Sequence, residues 1–324
     1  MSPPARVAIL DAFTSRAYKG NPAAVVLSTV PFGARDRENL AKELNQPAIA
    51  FVSHPAIDSP EAFTAALASP SSPAPLIRWH TATGKSLPLC GHATMAASAY
   101  LLDYFAPQLD EIRYEFVRTT THETLVATRC RDDGRIEIAL PASHRGETVN
   151  LDDERSHAIF DALEAATRLE RRDVEKLDLS PSNEAGSENL TVQLARHVDL
   201  AALEVDALKF LDVPYRGIYL TNLAPPPPPL VVDGESTARR TPHYRCRVFF
   251  PRVGILEDHV CGSANTRLGP LWIEQQAQRG TPLPDVVEVD QVSPRGGQFA
   301  LRWDGKWGDQ GGIVALRGNA KRAR

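Results

Sequence analysis

The sequence is short of the features that mark specialised chains. It has only four cysteines, Cys90, Cys130, Cys246 and Cys261, in 324 residues. Their spacing fits neither a zinc site nor a dense disulfide framework. No run approaches the ~18 apolar residues of a membrane-spanning helix, and the opening Met1–Arg6 lacks an apolar signal core. No partnership with a membrane is therefore expected, and a reducing, cytoplasmic setting with free thiols is. Positive charge is not in excess: the formal net charge is −4. That excludes the basic surface of a nucleic-acid-binding domain. The short basic end Lys321–Arg324 reads as solvated, and the run Pro225–Pro229 as an exposed polyproline loop.

What is present is an ordinary core, with 43% hydrophobic and 23% charged residues, in a chain long enough for two domains. One phrase occurs twice. Leu89-Cys90-Gly91-His92-Ala93-Thr94 and Val260-Cys261-Gly262-Ser263-Ala264-Asn265 each run Cys-Gly-polar-Ala-polar into a helical stretch. The first predicted helix, from about His92 to Tyr104, is apolar nearly all round and should be buried. The second starts near Ser263 and contains Pro270, which predicts a kink or local break.

Strand patterns surround both phrases. In the first half they are Val7–Phe13, Ala23–Leu27, Ala48–Ser53, Leu76–His80, Ile112–Phe116, Glu123–Thr128 and Arg135–Leu140. Residues 35–45 read as a helix, and 54–75, rich in Ser, Pro and Ala, as a loop. The second half offers strands at Leu190–Leu194, Gly217–Thr221, Tyr244–Pro251, Val286–Val289, Gln298–Trp303 and Gly312–Leu316. Its predicted helices are Ala158–Thr167 and Asp199–Phe210. The expected class is α+β: two pseudo-symmetric domains, 1–140 and 141–324, each a curled, mostly antiparallel sheet around a central helix. The final strands could return to the first domain.

Several stretches together resemble the phenazine-biosynthesis PhzF-like family. They are Asp11–Thr14 with Gly20–Val25, Cys90–Thr94, and Phe250-Pro251 with Gly254–Asp258 and Gly262–Ala264. The resemblance implies the fold shared with diaminopimelate epimerase and proline racemase, with the active site in a cleft between two domains. It also implies an enzyme needing no metal, flavin, nicotinamide or pyridoxal cofactor, and makes a homodimer reasonable. Two departures stand out. Ala48 falls where family isomerases carry a catalytic Glu, and Cys261 where they commonly carry Thr. Epimerase and racemase relatives have Cys at both phrase positions, as the acid and the base.

Inverting a carbon next to a carboxylate or carbonyl needs a base on one face and an acid on the other. A helix N-terminus favours the thiolate, so Cys90 and Cys261 are expected to ionise near neutral pH. The amides of Gly91, His92, Gly262 and Ser263 could hold a substrate carboxylate or enolate oxygen. Each thiol taken alone fits a buried core residue better than a functional one; the repetition in a matching framework is what selects function. Cys130 and Cys246, on predicted strands, read as core. His92 could bind and transfer a proton or simply pack. Asp258 matches the family's acidic position or serves a turn. Asn21 could touch substrate or stabilise its turn, and Ser263 and Asn265 could touch substrate or cap the helix.

The leading expectation is a cofactor-independent isomerase or epimerase of a small carboxylate- or carbonyl-bearing molecule. Alternatives are a double-bond isomerase working through His92 or Asp258, a lyase or dehydratase, and a non-catalytic small-molecule-binding relative.

Overall fold

The computed structural model describes residues 4–118, 121–181, 188–225 and 240–323. Most of the proline run lies outside them. The chain divides into two compact units, Met1–Leu140 with Ala315–Arg324, and Pro141–Val314. Each sets a mostly antiparallel sheet against one buried helix.

In the first unit, β1 (Ala5–Ala12) and β2 (Asn21–Ser28) pair antiparallel, with Ala5 opposite Ser28 and Ala12 opposite Asn21. Helix α1 (Ala34–Leu44) carries the chain across to β3 (Ala48–Ser53), which runs parallel to β2. A second helix, α2 (Pro60–Leu67), stands in the stretch expected to be loop. The reason is local: Ser59 Oγ accepts from the Ala62 N–H at 3.1 Å and Pro60 fills the first turn, so a capped start outweighs the poor composition. Strands β4 (Leu76–Thr81) and β5 (Ser86–Leu87) follow.

Helix α3 (Gly91–Ala99) is the central helix of this unit. Every residue from Ala93 to Ala99 is buried, as its uniform apolarity requires. It continues into a π-helical turn, Tyr100–Phe105. Strands β6 (Glu111–Arg118), β7 (Thr121–Arg129) and β8 (Ile136–Pro141) complete the run.

The second unit opens with β9 (Glu147–Val149), α4 (Glu154–Thr167), β10 (Val174–Pro181), β11 (Glu188–Leu194) and β12 (Gly217–Leu223). On β11 the period-2 alternation divides two environments. Leu190, Val192 and Leu194 join an apolar cluster with Ile159 and Leu163 of α4. Asn189, Thr191 and Gln193 face the other way. Beyond β13 (Tyr244–Phe250) and β14 (Ile255–Asp258) comes α5 (Gly262–Gln278), the central helix here. Its Trp272 Nε1 donates to Thr221 Oγ1 at 3.0 Å, which docks it on the polar-facing side of the sheet. Strands β15 (Val287–Gln291) and β16 (Gly297–Trp303) follow. The chain then returns through β17 (Ile313–Gly318) to β18 (Ala320–Arg322), which pairs antiparallel with β1.

Two local expectations need correction. Residues 199–210 form turns and a 3₁₀ segment, Ala207–Asp212, rather than one helix. Asp199 and Asp206 each bind a backbone N–H two residues on, at Ala201 (3.1 Å) and Leu208 (3.2 Å), and so compete with helical bonding. Helix α5, conversely, runs unbroken through Pro270. The carbonyl that the missing Pro270 N–H would have served, Thr266 O, accepts instead from the Ser143 N–H at 3.1 Å.

Candidate functional site

The two phrases fold alike. Cys90 is the N-cap of α3 with φ −141° and ψ 107°, and Cys261 the N-cap of α5 with φ −108° and ψ 100°. Neither side chain makes a regular N-cap hydrogen bond, although the Ala264 N–H approaches the Cys261 sulfur.

In the first unit, Cys90 is buried and its Sγ lies 3.5 Å from His92 Nδ1. The Cys90 carbonyl accepts from Thr94 N–H (3.0 Å) and Thr94 Oγ1 (2.8 Å), which fixes the turn. Gly91 and His92 are half-buried. Asn21 is buried at the head of β2, just after Gly20, whose φ of +67° and 2.1 Å approach of a notional Cβ to Ala12 O require glycine. Ala48 is buried at the start of β3, opposite Ala23 and Thr81. Its methyl has no exchangeable proton to carry.

In the second unit, Cys261 is held from several sides. Its N–H donates to Gln291 Oε1 at 2.8 Å, and Gln291 Nε2 donates to Asp258 O at 2.7 Å. Its Sγ lies 3.3 Å from Ser263 Oγ, is reached by the Ala264 N–H, and donates to the Asp258 carboxylate. Burial and the Asp258 charge push this thiol well above its ordinary pKa, outweighing the Ser263 and Ala264 hydrogen bonds. The expectation of a thiolate near neutral pH therefore fails for Cys261: one carboxylate beside a desolvated sulfur outweighs the helix end. Gly262 is buried and Ser263 exposed.

Asn265 is fully buried. Its Nδ2 donates to Cys261 O at 2.8 Å and its Oδ1 accepts from Tyr244 OH at 2.7 Å. The amide is spent inside the unit, holding the phrase in place. Cys246, core as expected, lies 3.8 Å from both Asn265 Nδ2 and Gln291 Oε1, and burial pushes its thiol up to about 12. Cys130 departs from the core expectation: it is half-buried in the turn after β7, where its N–H and carbonyl bond Arg135 and Gly134. Its acidic neighbours Asp132 and Asp133 are engaged by Arg317, at 2.7 and 3.7 Å.

One residue escaped the sequence reading. Tyr219, on β12, lies in register with Val248, which lies in register with Asp258. Its phenol is pushed up by burial first and by the Asp258 charge, and stays protonated. The ring rests edge-on to Phe250, 5.9 Å between centroids. Gly217 makes room for both rings: a Cβ there would come within 2.6 Å of Phe250 and 2.9 Å of Tyr219. The only sequence signal was an aromatic among aliphatic strand residues.

A model of the phenazine biosynthesis-like protein family matches residues 10–323. The chain belongs to this family. A phenazine biosynthesis-like domain-containing protein of Rattus norvegicus is 30% identical over 311 residues, covering 95% of this chain and 96% of the relative. An uncharacterized isomerase of Pseudomonas aeruginosa is 29% identical, with 92% and 90% covered. The fold is that of a PhzF-family crystal structure from Enterococcus faecalis, with a TM-score of 0.70 at 23% identity over 99% and 97% of the two chains. No helix among the described residues is long and apolar enough to cross a membrane.

Proposed function

We propose that the chain is an isomerase of the epimerase type, moving a proton at a carbon next to a carboxylate or carbonyl of a small molecule. Cys90 and Cys261 are the proton carriers, and no cofactor takes part. The observation that carries this reading is the paired geometry: two thiols, each at the mouth of its unit's central helix, each with a proton-exchanging neighbour. His92 Nδ1 at 3.5 Å can take the Cys90 proton, making that thiol the base. Cys261, kept protonated by burial and Asp258, is the acid. Gly91, His92, Gly262 and Ser263 present helix-end amides to a substrate oxygen. Asn21 bounds the first half-site. Asn265 acts through Cys261 as a positioning residue rather than as a contact. Membership of a family whose relatives include a protein named as an isomerase supports the reaction class.

The Asp258–Cys261 contact also favours a second reading, in which His92 and Asp258 shuttle the proton on one face and shift a double bond. Turnover separates the two. In epimerisation, Cys90→Ser and Cys261→Ser each abolish the loss of optical rotation by a chiral acid. If Cys261→Thr retains full turnover while His92→Gln or Asp258→Asn loses it, the double-bond isomerase stands instead.

A further inference from the structure

The first unit carries a second cluster of titratable groups, on the face of its sheet that α1 covers. Arg78 and His80 are two apart on β4, so both point to this face. They lie opposite Phe51 and Ile49 of β3, which belong to the apolar cluster under α1. Arg37 reaches in from α1. Phe32, Phe51 and His80 form an edge-to-face row, with centroids 5.9 and 5.4 Å apart.

These groups are cationic or can become so, and none is in an ion pair with a carboxylate among the described residues, although the charge of Glu38 acts on His80. Arg37 Nη1 donates to Phe32 O, while its Nε is buried without a partner. Arg78 Nη1 donates to Ile77 O at 3.0 Å, the carbonyl just before it in the chain. His80 is only 3% exposed, and its Nδ1 is buried and unpartnered. The nearby acid Glu38 is taken by Lys42 at 2.6 Å. Arg37 lies close enough to depress both Arg78 and His80, with burial as the larger cause for each. Like charges gathered on a half-desolvated face cost stability unless a counter-charge offsets them.

We propose that Arg37, Arg78 and His80 form a binding site for a tetrahedral oxyanion, a phosphate group. Two guanidinium forks supply charge-assisted donors and a neutral imidazole supplies one more N–H. The site is separate from the thiol chemistry and does not depend on it.

The test is calorimetric titration of the full chain with inorganic phosphate and with ribose 5-phosphate, at ionic strength held constant with chloride. One saturable site is expected, weakened about tenfold or more by Arg37→Gln or Arg78→Gln. Arg78→Lys should keep part of the affinity, and Cys90→Ser all of it. Tighter binding of the ester identifies a metabolite's phosphate group as the ligand, and tighter binding of inorganic phosphate identifies the free ion. In parallel, the His80 ring resonances should titrate at higher pH with the anion bound than the value of about 4 held without it. Absence of saturable binding, or binding unchanged in correctly folded Arg37→Gln and Arg78→Gln proteins, overturns the proposal.

Discussion

The Cys261 thiol donates a hydrogen bond to the Asp258 carboxylate, and that carboxylate adds to burial in keeping the thiol from ionising. Replacing Asp258 with Asn removes the charge and leaves the burial. The Cys261 pKa should fall, by about one unit for a charge in direct contact. Alkylation of Cys261 by iodoacetamide at pH 8, followed by peptide mapping, should then run about tenfold faster than in the unchanged protein. An equal rate would remove Asp258 from the account of this thiol.

Asn265 gives a stability prediction. Asn265→Ala leaves the buried Tyr244 hydroxyl and the Cys261 carbonyl without their partner. The cost should be about 2 to 3 kcal/mol, read from urea denaturation. A residue that merely touched substrate would leave the unfolding midpoint where it was.

Gly217 should tolerate no side chain. In Gly217→Ala the new methyl meets Phe250, Asn189 Oδ1 and Tyr219, all within 2.9 Å. The expected loss is about 1 to 3 kcal/mol. Tyr219→Phe, which keeps the ring against Phe250, should unfold at the same midpoint as the unchanged protein.

Cys246 makes stability depend on alkaline pH. Its folded pKa of about 12 lies above that of an unfolded thiol, so folding favours the protonated form. The stabilisation is complete below about pH 8.5 and is lost as pH climbs towards 12, at about 1.4 kcal/mol per pH unit. Cys246→Ala should remove one proton's share of that slope in urea midpoints taken from pH 8 to 11. Cys261, Tyr219 and Tyr244 shift the same way and keep the remainder.

Much of this was legible in the residues. The uniform apolarity of Ala93–Ala99 announced a buried helix, the alternation in β6 to β8 announced half-buried strands, and the repeated Cys-Gly phrase announced two equivalent helix starts. What was hidden depended on distant partners. Nothing near Pro270 says that Ser143 will take up the Thr266 carbonyl. Nothing near Cys261 says that Gln291, thirty positions on, will accept from its N–H. The helix-end argument for a thiolate failed because desolvation is a property of the packed unit and not of the phrase. Tyr219 was missed because its relation to Asp258 runs through strand register, across β13.

The central claim is that one thiol removes a proton from the substrate carbon and the other delivers its own proton to the opposite face. The most direct measurement is deuterium uptake from heavy water at the acidic carbon of small chiral amino and hydroxy acids, followed by proton NMR. The account predicts exchange by the unchanged protein at the carbon next to the carboxylate, and its loss in Cys90→Ser, in Cys261→Ser and in the double variant. Exchange that survives in the double variant would contradict it.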